Sequence, residues 1–163
     1  MKRIAEPTPS EAAAPTNLVL YVEDEPSNWE VTELRLRKKY KLLWARTDQE
    51  ACALVRQYGP ELYAVLMDVQ LQGSVLDGLA LTQVLRGKAT GPLPGFATGL
   101  KPVQCPIFFV TAYGNLHSPA QMDAAGGDAH VPKPVDFLSL TLLLARHNMK
   151  RAVDTLNRGT KPQ

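Results

Sequence analysis

Five positions carry side chains whose types and placement could handle a phosphoryl group: Glu23, Asp24, Asp68, Thr111 and Lys133. Each lies where a short apolar run ends. Leu18 to Val22 runs into Glu23 and Asp24, Leu62 to Met67 into Asp68, Ile107 to Val110 into Thr111, and Ala129 to Val131 stops just before Lys133. Carboxylates gathered at neighbouring strand ends repel one another unless a cation holds them. An oxygen-only donor set left partly open to water suits Mg²⁺ better than zinc. A metal-anchored carboxylate beside a lysine and a hydroxyl makes a phosphoryl site, because charge neutralisation and positioning drive that transfer. Asp68 would be the nucleophile, with Thr111 and Lys133 meeting the oxygens of the transferred group.

The apolar runs are short and continuous, as befits strands buried on both faces. Between them lie segments of helical pattern: about 28–39 after Ser27 as cap, 49–58 after Asp48 as cap, 79–86, 119–125, and 137–157 after Asp136 as cap. Val31, Leu34 and Leu36 are the expected core contacts of the first helix; Ala51, Leu54 and Val55 are those of the second. Phe137, Leu138, Leu140 and Leu142 to Leu144 should mostly pack in the core from the last helix, any surplus facing outward. With Lys41 to Ala45 as a further short strand candidate, five alternations of strand and helix predict an α/β fold, a parallel sheet covered by helices on both faces. Right-handed crossovers bring all strand C-termini to one edge, where such folds bind ligands.

Residues 1–16, rich in Ala, Pro, Thr and Glu, read as a flexible arm or linker, 17–157 as one domain, and 158–163 as a tail. The stretch 87–104, repeatedly broken by Gly and Pro, should form a long loop on the edge opposite Asp68, mobile more readily than partner-binding. With 45% hydrophobic and 21% charged residues and a net charge of +2, the 163-residue chain has a globular profile. That balance argues against nucleic acid or an anionic membrane as partner. No apolar run reaches the roughly 20 residues of a membrane span, and no secretory signal opens the chain, so the cytoplasm is the expected compartment. Cys52 and Cys105 lack neighbours at metal-ligand spacing and read as buried thiols.

The segments VEDEPSN, VLMDVQ, FFVTA and VPKPV, in this order, resemble the signature blocks of bacterial two-component receiver domains, over roughly residues 17–156. The resemblance implies the flavodoxin-like, doubly wound sheet of order 2-1-3-4-5. It implies Asp68 as phospho-acceptor, Glu23, Asp24, Asp68 and the Gln70 carbonyl around Mg²⁺, Thr111 as the mobile hydroxyl, and a cis peptide between Lys133 and Pro134. It also implies a sensor histidine kinase or phosphotransfer protein upstream, a downstream protein target, and a homodimer through the last helices. Four features depart from the family. The loop 71–78 is longer than usual and lacks a proline near Gln72, which could alter access to the active edge or be a tolerated insertion. The connection 87–104 is long. His130 stands where an aromatic switch residue is usual, so its charge could make the output pH-sensitive. Tyr113 lies near the route of attacking water and could slow dephosphorylation.

A haloacid-dehalogenase-like phosphatase would use a similar set but needs an acid two positions after the nucleophile, where this chain has Gln70. A nucleotide-binding module would need a glycine-rich turn where Glu23, Asp24 and Glu25 stand. The expected role is therefore regulatory rather than enzymatic. Two forms fit it: a single-domain regulator acting through protein contacts, or a receiver module of a hybrid histidine kinase.

Overall fold

The computed structural model describes residues 17–112 and 117–159. Five strands, β1 (Leu18–Val22), β2 (Lys41–Ala45), β3 (Leu62–Asp68), β4 (Ile107–Thr111) and β5 (Ala129–Pro132), alternate with α1 (Pro26–Leu36), α2 (Asp48–Tyr58), α3 (Gly78–Leu85), α4 (Pro119–Ala125) and α5 (Phe137–Gly159). The strands pair in parallel in the order β2-β1-β3-β4-β5. Successive strand side chains point to opposite faces, so each continuous apolar run feeds two cores. Leu18, Leu20, Val22, Val65, Met67, Ile107 and Phe109 join Ala51, Val55, Leu81, Leu85 and Met122 on one face. Val19, Tyr21, Ala64, Leu66, Phe108 and Val110 join Leu36, Leu140 and Leu144 on the other. Helices α2, α3 and α4 therefore cover one side, and α1 and α5 the other. Among the described residues, no helix is long and apolar enough to cross a membrane.

Several local expectations change. Helix α1 starts at Pro26, with Glu25 rather than Ser27 at its N-cap. It turns Thr32 and Leu36 inward, one helical turn apart, which leaves Val31 and Leu34 exposed. Helix α2 is capped by Thr47, whose hydroxyl accepts from Glu50 N, not by Asp48. In α5, Leu140 and Leu144 are buried while Leu138 and Leu142 face outward. That helix runs to Gly159, past the expected boundary at 157. Asp136 does precede it, its carboxylate accepting from Leu138 N and Ser139 N.

The 87–104 connection joins α3 to the N-terminal end of β4, opposite the edge that holds Asp68, as expected. It is not free of structure. It contains a short 3-10 turn at Gly95–Ala97, buries Ala97 and Val103, and lays Leu93, Phe96 and Leu100 on the core. The Arg56 guanidinium of α2 donates to Phe96 O and Thr98 O.

Arg86, just past α3, closes the same end of the molecule. It donates to Gly126 O, Val103 O and Cys105 O, and pairs with Asp128 at 2.6 Å. Asp128 in turn accepts from Ile107 N at the start of β4. Removing the guanidinium orphans several shielded carbonyls at once. Arg86→Met should lower stability by about 2 kcal/mol, measured as a lower urea midpoint with unchanged slope; an unshifted midpoint would refute the clamp.

Candidate functional site

Strand register assembles the site before any side chain is considered. Val22 of β1 lies opposite Met67 of β3, so Glu23 and Asp68 emerge level with each other. Asp68 lies opposite Val110, which puts Thr111 one residue beyond, and Thr111 lies opposite Pro132, which puts Lys133 one residue beyond that. The backbone closes the row where Lys133 N donates to Thr111 O at 2.7 Å. The Lys133–Pro134 peptide is cis.

At this edge one carboxylate oxygen each from Glu23, Asp24 and Asp68 lies within 4.8 Å of the others. Lys133 Nζ stands 2.9 Å from Glu23 Oε2 and 3.2 Å from Asp68 Oδ2. Glu23 is fully buried, and both its oxygens are engaged. Oε1 accepts from Glu25 N, and Oε2 from the Tyr21 hydroxyl and Lys133. Asp68 Oδ1 accepts a long 3.3 Å bond from Gln70 N, and Asp24 Oδ2 accepts from Gln72 N at 3.1 Å. The two aspartates thus retain more free lone pairs than Glu23 does. Three hard carboxylates and one ammonium leave an excess of negative charge, a donor set that fits a small divalent cation such as Mg²⁺.

Electrostatics separate the two buried acids. Burial and the charge of Glu23 push the Asp68 carboxyl up from 3.8 to about 7, with Lys133 opposing. Glu23 is desolvated too, but hydrogen bonds from Lys133, Glu25 and Tyr21 outweigh that cost and hold its carboxyl below the usual value. Lys133 is raised, since its two carboxylate partners outweigh its own desolvation. Tyr21 is pushed up by burial and by Glu23, so its hydroxyl stays a proton donor.

The remaining expected positions are distributed unevenly. Gln70 is exposed two residues past the end of β3. His130 is partly buried, its Nε2 3.3 Å from Asp123 Oδ1 in α4 and its ring tilted against Phe109. Tyr113 lies outside the described residues. Some contributors carry no advance signal in the sequence. Tyr21 and Trp44 read only as strand residues, yet the Tyr21 hydroxyl holds the Glu23 carboxylate and Trp44 Nε1 donates to Glu23 O at 2.8 Å. Gly78 packs against the Asp68 carbonyl, and Asp48 reaches the loop that follows Asp68.

A doubly wound 2-1-3-4-5 sheet with an acidic cluster and a lysine at its C-terminal edge defines a class of phospho-accepting signalling domain. The response regulator receiver domain family matches residues 19–145, and the chain belongs to it. Among solved structures it is similar to NtrX from Brucella abortus at 23% identity and a TM-score of 0.68, over 86% of this chain. It spans only 29% of the NtrX chain. The receiver domain of the sensor histidine kinase PA1611 from Pseudomonas aeruginosa, which has a magnesium ion in its active-site cleft, is 26% identical with a TM-score of 0.62, covering 81% of this chain and 97% of that one. The receiver domain of Ssk1 from Saccharomyces cerevisiae, solved with the phosphotransfer protein Ypd1, is 23% identical with a TM-score of 0.65, covering 85% and 92%. No curated protein sequence matches the chain.

Proposed function

We propose that Asp68 takes a phosphoryl group from a phosphohistidine on a sensor kinase or phosphotransfer protein. A carboxylate oxygen of Asp68 attacks phosphorus, the P–N bond of the donor breaks, and the imidazole leaves with its electron pair and takes up a proton. The reading is carried by one observation: Lys133 Nζ bridges Asp68 and Glu23 while three carboxylates converge beside it. Asp24, Asp68, the Gln70 carbonyl and Glu23 would hold Mg²⁺, with Glu23 chiefly anchoring the lysine. Bound there, the ion supplies positive charge to the phosphoryl oxygens. Lys133 supplies a second cation and keeps Asp68 oriented. Thr111, at the end of β4, offers a hydroxyl to the phosphoryl group, and His130, packed toward α4, relays its movement to the surface.

The domain acts in the cytoplasm as a regulatory phospho-acceptor, with residues 17–159 as its working unit. It signals to a downstream protein, and the outward-facing Leu138 and Leu142 of α5 offer a dimer contact. A receiver module of a hybrid histidine kinase is the second reading, favoured by the likeness to the PA1611 domain. Incubation with Mg²⁺ and acetyl phosphate should add one phosphoryl group to the intact mass, and chelation of Mg²⁺ should prevent it. A mass unchanged under both conditions would sink the assignment.

A further inference from the structure

The loop between β3 and α3 is held by a buried charge on a different element. Asp48, in the first turn of α2, is only 2% exposed. Its Oδ2 accepts from Val75 N at 3.0 Å and Leu76 N at 2.8 Å, and its Oδ1 from Gln49 N at 2.8 Å. The Asp48 N–H in turn donates to the Ser74 hydroxyl oxygen at 3.0 Å. Burying a carboxylate is costly unless hydrogen bonds replace its water, and here backbone N–H groups do so. Thr47 already caps α2, so the local helix does not need Asp48 for that purpose. What the buried carboxylate organises is the loop.

That loop reaches back onto the acidic cluster. Leu71 is buried, Gly78 N closes the loop base on Val69 O at 2.8 Å, and Gln72 N donates to Asp24 Oδ2 at 3.1 Å. The Gln72 amide therefore orients one of the carboxylates that face Asp68. It stands between two fixed points, the buried Leu71 side chain and the Asp48-bound segment Ser74 to Leu76.

We propose that Asp48 is a positioning residue for the divalent-cation site: by holding the Ser74–Leu76 segment it keeps the Gln72 amide on Asp24, and so sets the affinity of the site for Mg²⁺. This rests on the reading of the acidic cluster as a Mg²⁺ site. Groups that orient metal ligands from behind are worth about tenfold or more in affinity, whereas an inert surface insertion would be worth nothing.

The test is a calorimetric Mg²⁺ titration of the full chain, in parallel with Mg²⁺-dependent labelling by acetyl phosphate. Asp48→Ala removes the anchor, and Gln72→Pro removes the N–H that meets Asp24 while fixing φ at that residue. Both should weaken Mg²⁺ binding about tenfold. The Mg²⁺ concentration for half-maximal labelling should rise by the same factor, with the rate at saturating Mg²⁺ returning to wild type. Asp48→Asn, which keeps a carbonyl oxygen for Val75 and Leu76, should restore most of the affinity. Wild-type Mg²⁺ affinity in Gln72→Pro would overturn the proposal, even if Asp48→Ala failed to fold. Wild-type affinity in a folded Asp48→Ala would do the same. A wild-type protein that bound no Mg²⁺ would remove the metal reading itself, an outcome separate from either variant result.

Discussion

Asp68→Asn should abolish phosphoryl uptake and, in the absence of divalent metal, yield a more stable protein than wild type. The first effect follows from the nucleophile. An amide oxygen lacks the charge and lone-pair basicity that attack on phosphorus requires, so incorporation should fall below detection in intact-mass measurements. The second follows from the position of the carboxyl. In the fold its pKa is about 7 against an ordinary 3.8, because burial and Glu23 disfavour its charge. Between those values the folded state binds the proton more tightly than the unfolded chain does, so this group's contribution falls as pH rises through the window. The penalty is complete above about pH 7 and absent below about pH 4. The asparagine variant escapes it, and should exceed wild type by on the order of 2 kcal/mol at pH 8 and by much less at pH 5. Urea melts in chelator at the two pH values measure this. Equal stability of the two proteins at pH 8 would mean that Asp68 is not strained by its surroundings.

The other large effect comes from a single methyl group. Gly78 opens α3 with its bare Cα against the strand that carries Asp68. A Cβ built there would overlap the Asp68 carbonyl oxygen and stand 2.8 Å from Val69 Cα, both of them backbone atoms. No rotamer change relieves such a contact, so the β3–α3 junction must move. Gly78→Ala should therefore cost about 3–5 kcal/mol. It should also weaken Mg²⁺ binding, since the displaced carbonyl belongs to the residue whose carboxylate faces Asp24. Gly73→Ala is the control: nothing lies within 4 Å of its Cβ position, so only its positive φ of 76° is penalised. A Gly78→Ala protein as stable as the Gly73→Ala control would refute the steric account.

How much of this was legible beforehand depended on the range of the interactions involved. Burial on both faces of a sheet demands continuous apolar residues, so the three central strands β1, β3 and β4 could be placed from local sequence. The acids and the lysine stood out because charge directly after such a run is expensive unless it is partnered. Helix facing was harder to read. Val31 and Leu34 look like core residues by type, yet α1 rotates Thr32 and Leu36 inward, and only packing against the sheet settles that choice. Likewise the Gly and Pro residues of 87–104 forbid a long element but do not forbid packing, and Ala97 and Phe96 found the core beside α2.

The chain of residues alone determined the alternation of strands and helices, the parallel sheet, and the row of chemistry at its edge, because period and composition act over a few neighbours. Tertiary structure decided which oxygens remain open, that Glu23 is engaged by Tyr21 and Lys133, and that Asp48 holds a loop 26 to 28 residues away as well as the first turn of its own helix. The physical reason is that hydrogen-bond partners distant in sequence meet only after the sheet has set their register. An aspartate near a helix start looks the same in sequence whether its carboxylate turns to its own backbone or to another segment.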